Sequence, residues 1–500
     1  MNVAIKSSQV NNQDILNFDV LIVGAGISGI NAAYHLQNFC KEKSFALLEN
    51  QESFGGTWHT HKYPGIRSDS DLYTFGYNWK PWSGTPIATA GEILSYLDEG
   101  MEQNDIRKHI RFSHDVKRAT WSTTDKCWTL QVSVNGSDDF QIYTCNFLWM
   151  CQGYYRHGSG YTPEFKGAEN FNGPIVHPQT WPEDLDYKGK KVVVIGSGAT
   201  AATLVPAMAE DCAHITMLQR SPTYFAAAPN RNDLVETLRK LDIPDEWIHE
   251  IARRQVLADQ QKTTRRSFEE PEALKEELIG IAKKILGNEF DVDKHFTPKY
   301  RPWRQRLAFL PDGDLFKAIK SGEASVVTDQ IDSFTETGIK LKSGETLEAD
   351  IIITATGFNM SVLGDVKFNI DGTDLDFSDC WAHRGILFSG IPNMAWVFGY
   401  LRTSWTMRSD LISDFVCRLL NHMDEKDVAM VTPRLRDEDQ SMPELPFVDP
   451  ENFNAGYLTR DMHKMPKQGD RQPWIFSQDY YSEKEEIPAA DLEDGTLIYE

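Results

Sequence analysis

Two glycine-rich segments carry the most direct chemistry in this 500-residue chain. Gly24-Ala-Gly26-Ile-Ser28-Gly29 follows the apolar run Asp19-Val-Leu-Ile-Val23, and Gly196-Ser197-Gly198-Ala199-Thr200-Ala201 follows Lys191-Val-Val-Val-Ile195. Each segment also opens a helical pattern. At such a junction glycine lets backbone N–H groups approach a pyrophosphate, and the helix N-terminus adds a favourable potential. Ser28 adds a hydroxyl donor. Glu49 lies 20 residues beyond Gly29, after the strand-like Phe45-Ala-Leu-Leu48, where a carboxylate accepts hydrogen bonds from ribose hydroxyls. The run after the second loop ends differently, in Gln219-Arg220-Ser221. A carboxylate there would repel a 2′-phosphate, whereas Arg220 pairs with one in two-pronged fashion and Ser221 donates to it. The second loop therefore predicts NADP rather than NAD. Two loops in one polypeptide predict two nucleotide cofactors with electrons passing between them.

A third segment, Gly55-Gly56-Thr57-Trp58-His-Thr-His-Lys-Tyr63-Pro64-Gly65-Ile-Arg67-Ser68-Asp69, is dense in residues that meet flat, charged ligands. Paired glycines permit close backbone approach, Trp58 offers a planar apolar wall, and Arg67 and Asp69 bring opposite charges. Just ahead of the second loop stands Phe171-Asn-Gly173-Pro-Ile-Val-His177-Pro-Gln-Thr-Trp181-Pro182.

The elements that must hold these residues follow from periodicity. Strand, tight turn and helix recur at both loops, which predicts an α/β protein with two Rossmann-like dinucleotide-binding domains. Alternation between 111 and 150, as in Trp128-Thr-Leu-Gln-Val132, predicts an antiparallel meander inserted into the first domain. Residues 151–190, rich in Gly, Pro and Tyr, form the interdomain crossing. From about 230 to 290 the chain is charged and helical, with Leu274, Leu278, Ile281 and Ile285 on one face; the pairs Arg253/Arg254 and Lys283/Lys284 are expected on solvated faces. A hairpin is expected around Ser343-Gly344, followed by the buried strand Ile351-Ile-Ile-Thr354. The expected organisation is a first domain from 1–150 and 365–500, a second from 151–222 and 299–364, and a helical insertion over 223–298.

An apolar fraction of 41% and a charged fraction of 25% are those of an ordinary soluble globular chain. The net charge of −22 disfavours nucleic-acid wrapping and tight adhesion to anionic lipid. Seven scattered cysteines with no C-x-x-C spacing argue against a disulfide scaffold, a metal site and a dithiol redox motif. They fit reduced thiols in a cytoplasmic protein. The opening MNVAIKSSQVNNQDILNF lacks the basic and apolar regions of a secretory signal, and no run reaches a spanning length; peripheral membrane contact stays open.

FNGPIVHPQTWP (171–182) resembles the F-x-G-x-x-x-H-x-x-x-W-P signature of Baeyer–Villiger monooxygenases, and GGTW…YPGIRSD (55–69) resembles their companion G-G-x-W-x-x-x-x-Y-P-G-x-x-x-D signature. The similarity runs from DVLIVGAGISG to PKQGDRQPW at 466–474. KYPGIRSDSD, VVVIGSGATA and SGIPNMA resemble the ethionamide-activating and long-chain-alkane branch. The resemblance implies FAD in the first domain and NADPH in the second. It also implies a C4a-peroxyflavin that uses O2 to insert one oxygen beside a ketone carbonyl, giving an ester, or to oxygenate a sulfide. Arg306, after Pro298-Lys-Tyr300, matches the catalytic arginine, and Asp69 its carboxylate partner. Arg67 and Ser68 would lie at the NADP; Thr57, Trp58 and the backbone near Val116 would meet the flavin. His177 and Trp181 are implied to couple domains rather than to react.

Two departures stand out. Gln305 replaces the lysine common before the catalytic arginine, with Arg304 and Arg301 as candidates to compensate, and His59-Thr60-His61 replaces acidic and apolar residues. The alternative on the same scaffold is a heteroatom or long-chain alkyl monooxygenase. A disulfide reductase lacks its cysteine pair here, and a non-enzymatic flavin sensor would have no use for Arg306.

Overall fold

The computed structural model of the protein describes residues 15–500. Most of the opening segment read for a secretory signal lies outside the described residues. Leu16–Val23 is the organising strand of a 9-stranded sheet, flanked in parallel by Phe45–Leu48 and Phe140–Met150. Val20, Leu21 and Ile22 are fully buried because both faces of the strand are covered, as a continuous apolar run requires. Val20 and Ile22 pack toward a core shared with the helices Ile27–Phe39 and Trp405–Glu425. Leu21 and Val23 pack toward a second core built around Trp128, Trp396 and Phe398.

The meander is present, and it is fused to this sheet rather than set apart from it. Phe140–Met150 pairs antiparallel with Cys127–Val134 through its first half, while its second half runs parallel to Met394–Trp396. One long strand thus carries both arrangements.

The second nucleotide unit is a 5-stranded parallel sheet in the order Ala324–Thr328, His214–Gln219, Lys191–Ile195, Ile351–Thr354, Ile175–Val176. Its edge strand comes from the stretch read as an interdomain crossing. The hairpin turns at Gly344 between Gly338–Leu341 and Thr346–Glu348, where φ is +94°. The crossings between the two units are joined as an antiparallel ribbon of Tyr155–Gly160 with Phe358–Met360.

The charged region forms the helices Asp233–Lys240, Asp245–Glu269 and Pro271–Leu286. It is preceded by Phe225–Ala228, which pairs with Ala308–Pro311. Leu274, Leu278, Ala282 and Leu286 are the buried face of Pro271–Leu286, with Ile281 and Ile285 half-buried at its margin. Arg254, Lys283 and Lys284 are exposed as expected. Arg253 is not: it is buried and donates to the carbonyls of Tyr73, Thr74 and Gly76 at 3.2, 3.4 and 3.1 Å. These carbonyls end the short helix Leu72–Phe75, where intrahelical donors run out. All three bonds come from Nη1, whose two N–H groups are shared among the carbonyls. Asp410, buried 3.6 Å away, balances its charge. The insertion therefore grips the first nucleotide unit while remaining part of the chain of the second.

Arg253→Ala should destabilise the protein by about 3–5 kcal/mol, since it orphans the Tyr73 and Gly76 carbonyls, leaves that of Thr74 with only the Thr406 hydroxyl, and leaves a buried carboxylate unpaired. Denaturant unfolding checks this; a loss below about 1 kcal/mol would show that the site relaxes to water.

Candidate functional site

The two glycine loops face each other across one cleft of about 1290 Å³. Gly24 takes φ +104°, and a Cβ there would lie 2.8 Å from the Cys151 carbonyl oxygen; Gly196 takes φ +133°, with a Cβ 2.2 Å from the Ala355 carbonyl oxygen. Neither position admits another residue without moving backbone. Gly26 and Gly198 cap the helices Ile27–Phe39 and Ala199–Ala209 with no side chain over the first turn, which leaves N–H groups directed into the cleft. Gly29 does a different job. Its missing Cβ would sit 1.9 Å from the Gly24 carbonyl oxygen, so it sets helix against strand and does not line the cleft. Fully buried Ala201 is likewise behind the second loop.

Around the first loop, Glu49 is buried and accepts from the N–H of Ala25 at 2.7 Å and of Gln51 at 2.8 Å. Burial raises its pKa against the opposing effect of those donors. The Ser28 hydroxyl accepts from the Trp405 indole at 2.8 Å. Gly56, at φ +53°, backs onto Gly26. Thr57 and Trp58 begin the short helix Thr57–Thr60, and Val116 lies opposite on His114–Ser122; all three line the cleft.

Around the second loop, the Ser197 hydroxyl meets that of Thr223 at 2.8 Å. The buried Gln219 side chain turns away, donating to the His295 carbonyl at 2.6 Å and to Thr328 at 2.8 Å. Arg220 is left at the strand end beside Ser221, exposed to the cleft and without a hydrogen bond or ion pair among the described residues. Asp329 was not anticipated. It lines the same corner, but its carboxylate is occupied by the N–H groups of Gln330 at 2.6 Å and Ser343 at 3.2 Å.

Between the loops, Arg306 forms a two-pronged ion pair with Asp69 (Nε to Oδ2 2.8 Å, Nη2 to Oδ1 2.6 Å). It also donates to the Leu401 carbonyl at 2.8 Å and the Ser70 hydroxyl at 3.1 Å. Those bonds use four of the five N–H groups of a guanidinium, so one on Nη1 remains. Burial opposes the charge, but Asp69 outweighs it and holds the pKa above the ordinary arginine range. Ser68 lines the cleft, and its hydroxyl donates to the Ser70 carbonyl at 2.8 Å and accepts from the Ser70 N–H at 3.0 Å, shaping the turn that presents Asp69. Arg67 donates to Asp314 at 2.6 Å, and its other terminal nitrogen is buried without a partner.

Gln305 lies exposed at the cleft wall. Arg304 and Arg301 do not stand in for the missing lysine, because both are committed elsewhere. Arg304 donates to both Glu451 carboxylate oxygens at 3.0 Å, and Arg301 donates to the Glu451 carbonyl at 3.0 Å and covers the Phe268 ring at 4.0 Å.

His177 is away from the cleft. Its Nε2 meets the Gly357 carbonyl at 3.1 Å and its ring fills the space a Cβ on Gly160 would need, which pins the ribbon between the units. Several cleft residues carried no motif signal. Tyr154, Tyr155 and Tyr457 gather beside Arg306, and only the density of tyrosine after 151 pointed toward the first two. His61 and His157 also line the cleft, each with a buried ring nitrogen lacking a partner. Among the described residues no group of three or more His, Cys, Asp or Glu is placed to hold a metal, and no helix is long and apolar enough to cross a membrane.

Comparison with known proteins agrees with this geometry. Residues 22–80 match the NAD(P)-binding Rossmann-like domain, and residues 86–229 match the flavin-binding monooxygenase-like family. The chain is 48% identical to the FAD-containing monooxygenase EthA of Mycolicibacterium smegmatis over 93% of each chain. It is 44% identical to the probable FAD-binding monooxygenase AlmA of an Acinetobacter species over 96% of each. The fold is shared with a steroid monooxygenase solved with NADP, at a TM-score of 0.68 and 22% identity, covering 85% of this chain and 88% of that one.

Burial in the cleft wall lowers the His61 pKa to about 4, with His157 and His177 adding to the effect. A histidine that is neutral when folded and protonates near 6.5 when unfolded contributes stability above pH 6.5 that is lost as pH falls toward 4. Stability should therefore decline over that window, and His61→Phe should decline less steeply, by on the order of 2–3 kcal/mol at the acid end. Unfolding free energies measured from pH 7 to 4.5 test this; identical slopes would mean that His61 is hydrated.

Proposed function

This chain belongs to the family of FAD-containing monooxygenases, and from that premise we propose that it binds FAD at residues 24–29 and NADPH at residues 196–201 to oxygenate a small ketone, giving an ester, and also sulfides. The observation that carries this reading is the Arg306–Asp69 pair between the two loops, with one N–H still available to an oxygen that becomes negative. The residues suit both cofactors. The Gly26–Gly56 approach leaves a backbone cradle without side chains, Glu49 offers carboxylate lone pairs, Arg220 is unpaired, and Arg67 keeps an unpartnered buried nitrogen. In this assignment the first unit draws on 1–150 and 365–500, the second on 151–222 and 299–364, and 223–298 is the insertion. The seven free thiols suit a reducing compartment such as the cytoplasm.

Bound FAD, reduced by NADPH, supplies the activation of O2. The protein supplies position and charge. Asp69 holds the guanidinium plane in one orientation, and Ser70 and the Leu401 carbonyl keep it there before reaction begins. A donor fixed in advance stabilises developing negative charge without reorganising, which is the usual origin of large electrostatic rate effects. Arg67, anchored by Asp314, and Arg220 at the opposite corner are placed to hold coenzyme phosphates or ribose. Trp58 and the tyrosines wall the reacting region from water.

Arg220→Ala should raise the NADPH KM by about 10- to 100-fold and leave NADH use nearly unchanged, since a charge-assisted pair contributes roughly 1.5–3 kcal/mol. Equal losses with both coenzymes would remove the 2′-phosphate assignment. Arg306→Ala should retain FAD yet lose about 10²–10³-fold in oxygenated product, or about 2.7–4 kcal/mol. NADPH oxidation should persist with release of hydrogen peroxide. Arg306→Lys should also fail, because a point charge cannot reproduce the planar fork. Mass-spectrometric product analysis with a panel of ketones and sulfides reads both variants, and wild-type yields from Arg306→Ala would end this role for the residue.

A further inference from the structure

Three tyrosines stand beside the Arg306–Asp69 pair with their hydroxyls unclaimed by the backbone. Tyr154 and Tyr155 follow the C-terminal end of Phe140–Met150, an inner strand of the first sheet, and their hydroxyls meet at 2.7 Å. Tyr457 arrives from the C-terminal region on Gly456–Asp461, with its ring 6.0 Å from that of Tyr154 and 5.5 Å from that of Tyr155. All three line the cleft. Among the described residues no carbonyl or carboxylate accepts from any of them; the Tyr154 and Tyr155 hydroxyls bond each other and are directed at the Tyr457 oxygen, which accepts and so keeps its own proton for a further acceptor. Phenols this well enclosed ordinarily find an acceptor.

The cluster is also held rigidly. The Tyr154 ring stacks on Trp405 at 5.1 Å and 12°, and Trp405 is tied through its indole to Ser28 of the first loop. The short helix bearing Tyr457 is fixed by Arg460, which donates to the Phe358 carbonyl at 2.8 Å and covers the Tyr161 ring at 3.6 Å. The charges of both Arg306 and Asp69 reach Tyr457, so its hydroxyl belongs to the same corner of the cleft. Burial raises its pKa, which keeps it a proton-bearing donor at neutral pH.

We propose that Tyr457, steadied by the Tyr154–Tyr155 pair, donates a hydrogen bond to the oxygen of a carbonyl substrate at the Arg306 end of the cleft, and thereby favours ketones over thioethers of the same shape. This rests on the monooxygenase reading above and deepens it. A thioether offers sulfur, a weak acceptor, and gains little from the hydroxyl. A ketone gains one hydrogen bond in a partly dry site, which corresponds to a several-fold difference in binding.

The test uses the FAD-loaded protein with three ligands of matched shape: acetophenone, thioanisole, and α-methylstyrene, in which a methylene replaces the carbonyl oxygen. Calorimetry without NADPH reads binding independently of turnover. Wild-type protein should bind acetophenone about 5- to 10-fold more tightly than α-methylstyrene. Tyr457→Phe should weaken acetophenone binding and raise its KM by a similar factor, with kcat changed less, while thioanisole shifts by less than twofold. Retained thioanisole binding also shows that the variant has folded. If Tyr457→Phe does not fold, Tyr457→Met takes its place, and loss of the wild-type preference for acetophenone over α-methylstyrene is read there. Equal binding of those two, no acetophenone binding at all, or equal weakening of ketone and thioether in the variant would overturn the proposal. A wild-type protein whose preference for acetophenone is lost in Tyr457→Phe, but which yields no oxygenated product with NADPH and O2, would instead overturn the monooxygenase reading and leave the hydroxyl's role intact.

Discussion

The Arg306–Asp69 ion pair is the contact around which the cleft is arranged. Arg306 comes from the segment that leads back into the second sheet, whereas Asp69, Ser70 and Leu401 all come from the side of the first. The pair is therefore a bond between units as well as a charge in a site. A guanidinium in a partly buried cleft needs its N–H groups satisfied, and four bonds from three residues fix its plane as well as its position. The turn that presents Asp69 is closed by Ser68 on Ser70, and Arg67 immediately before it is anchored on Asp314 of the second unit. Two consecutive arms of one short segment thus reach the opposite unit, one by a cation and one by an anion.

Residues were legible in the sequence where a local steric or electrostatic requirement dictated their type. Gly24, Gly29 and Gly196 each stand where a Cβ would strike backbone, and no tertiary knowledge is needed to expect glycine in a strand–turn–helix junction. The parallel strands were legible because both faces are covered, so alternation disappears from Val20-Leu-Ile. Roles that depend on a distant partner were not. Arg253 looks like one half of a surface Arg-Arg pair, and its burial is decided by carbonyls nearly 180 residues away at the end of Leu72–Phe75. The same limit hid Tyr457, whose neighbourhood in sequence has no pattern and whose partners in the cleft follow residue 150. It also hid the engagement of Arg301 and Arg304 with Glu451, which is set by the C-terminal region.

The resemblance added what spacing could not, namely which arginine in a basic stretch faces the reacting region. Arg301, Arg304 and Arg306 lie within six residues, and only Arg306 points to Asp69. The positive φ of +64° at Trp303 accompanies a turn between them. Alternate arginines leave such a turn in different directions, which is a property of the fold rather than of composition.

The units meet through two couplings of different physical kinds. On one side the ribbon of Tyr155–Gly160 with Phe358–Met360 supplies backbone hydrogen bonds, and His177 is wedged against Gly160 and bonded to Gly357, so neither strand can shift without displacing a half-buried imidazole. On the other side the insertion reaches over and satisfies the end of a helix through Arg253, while the His249 ring accepts from the Trp82 N–H at 3.0 Å. The ribbon pairs Phe358 with Gly160 and Met360 with Tyr155 across a register shift, so the His177 wedge supplies part of what fixes it. The Arg253 contact combines three bonds from one buried side chain with the nearby charge of Asp410. The Arg306–Asp69 pair lies between the two couplings, so its 2.6–2.8 Å geometry depends on both, and the insertion's hold on the first unit becomes part of how the reacting corner is kept in register.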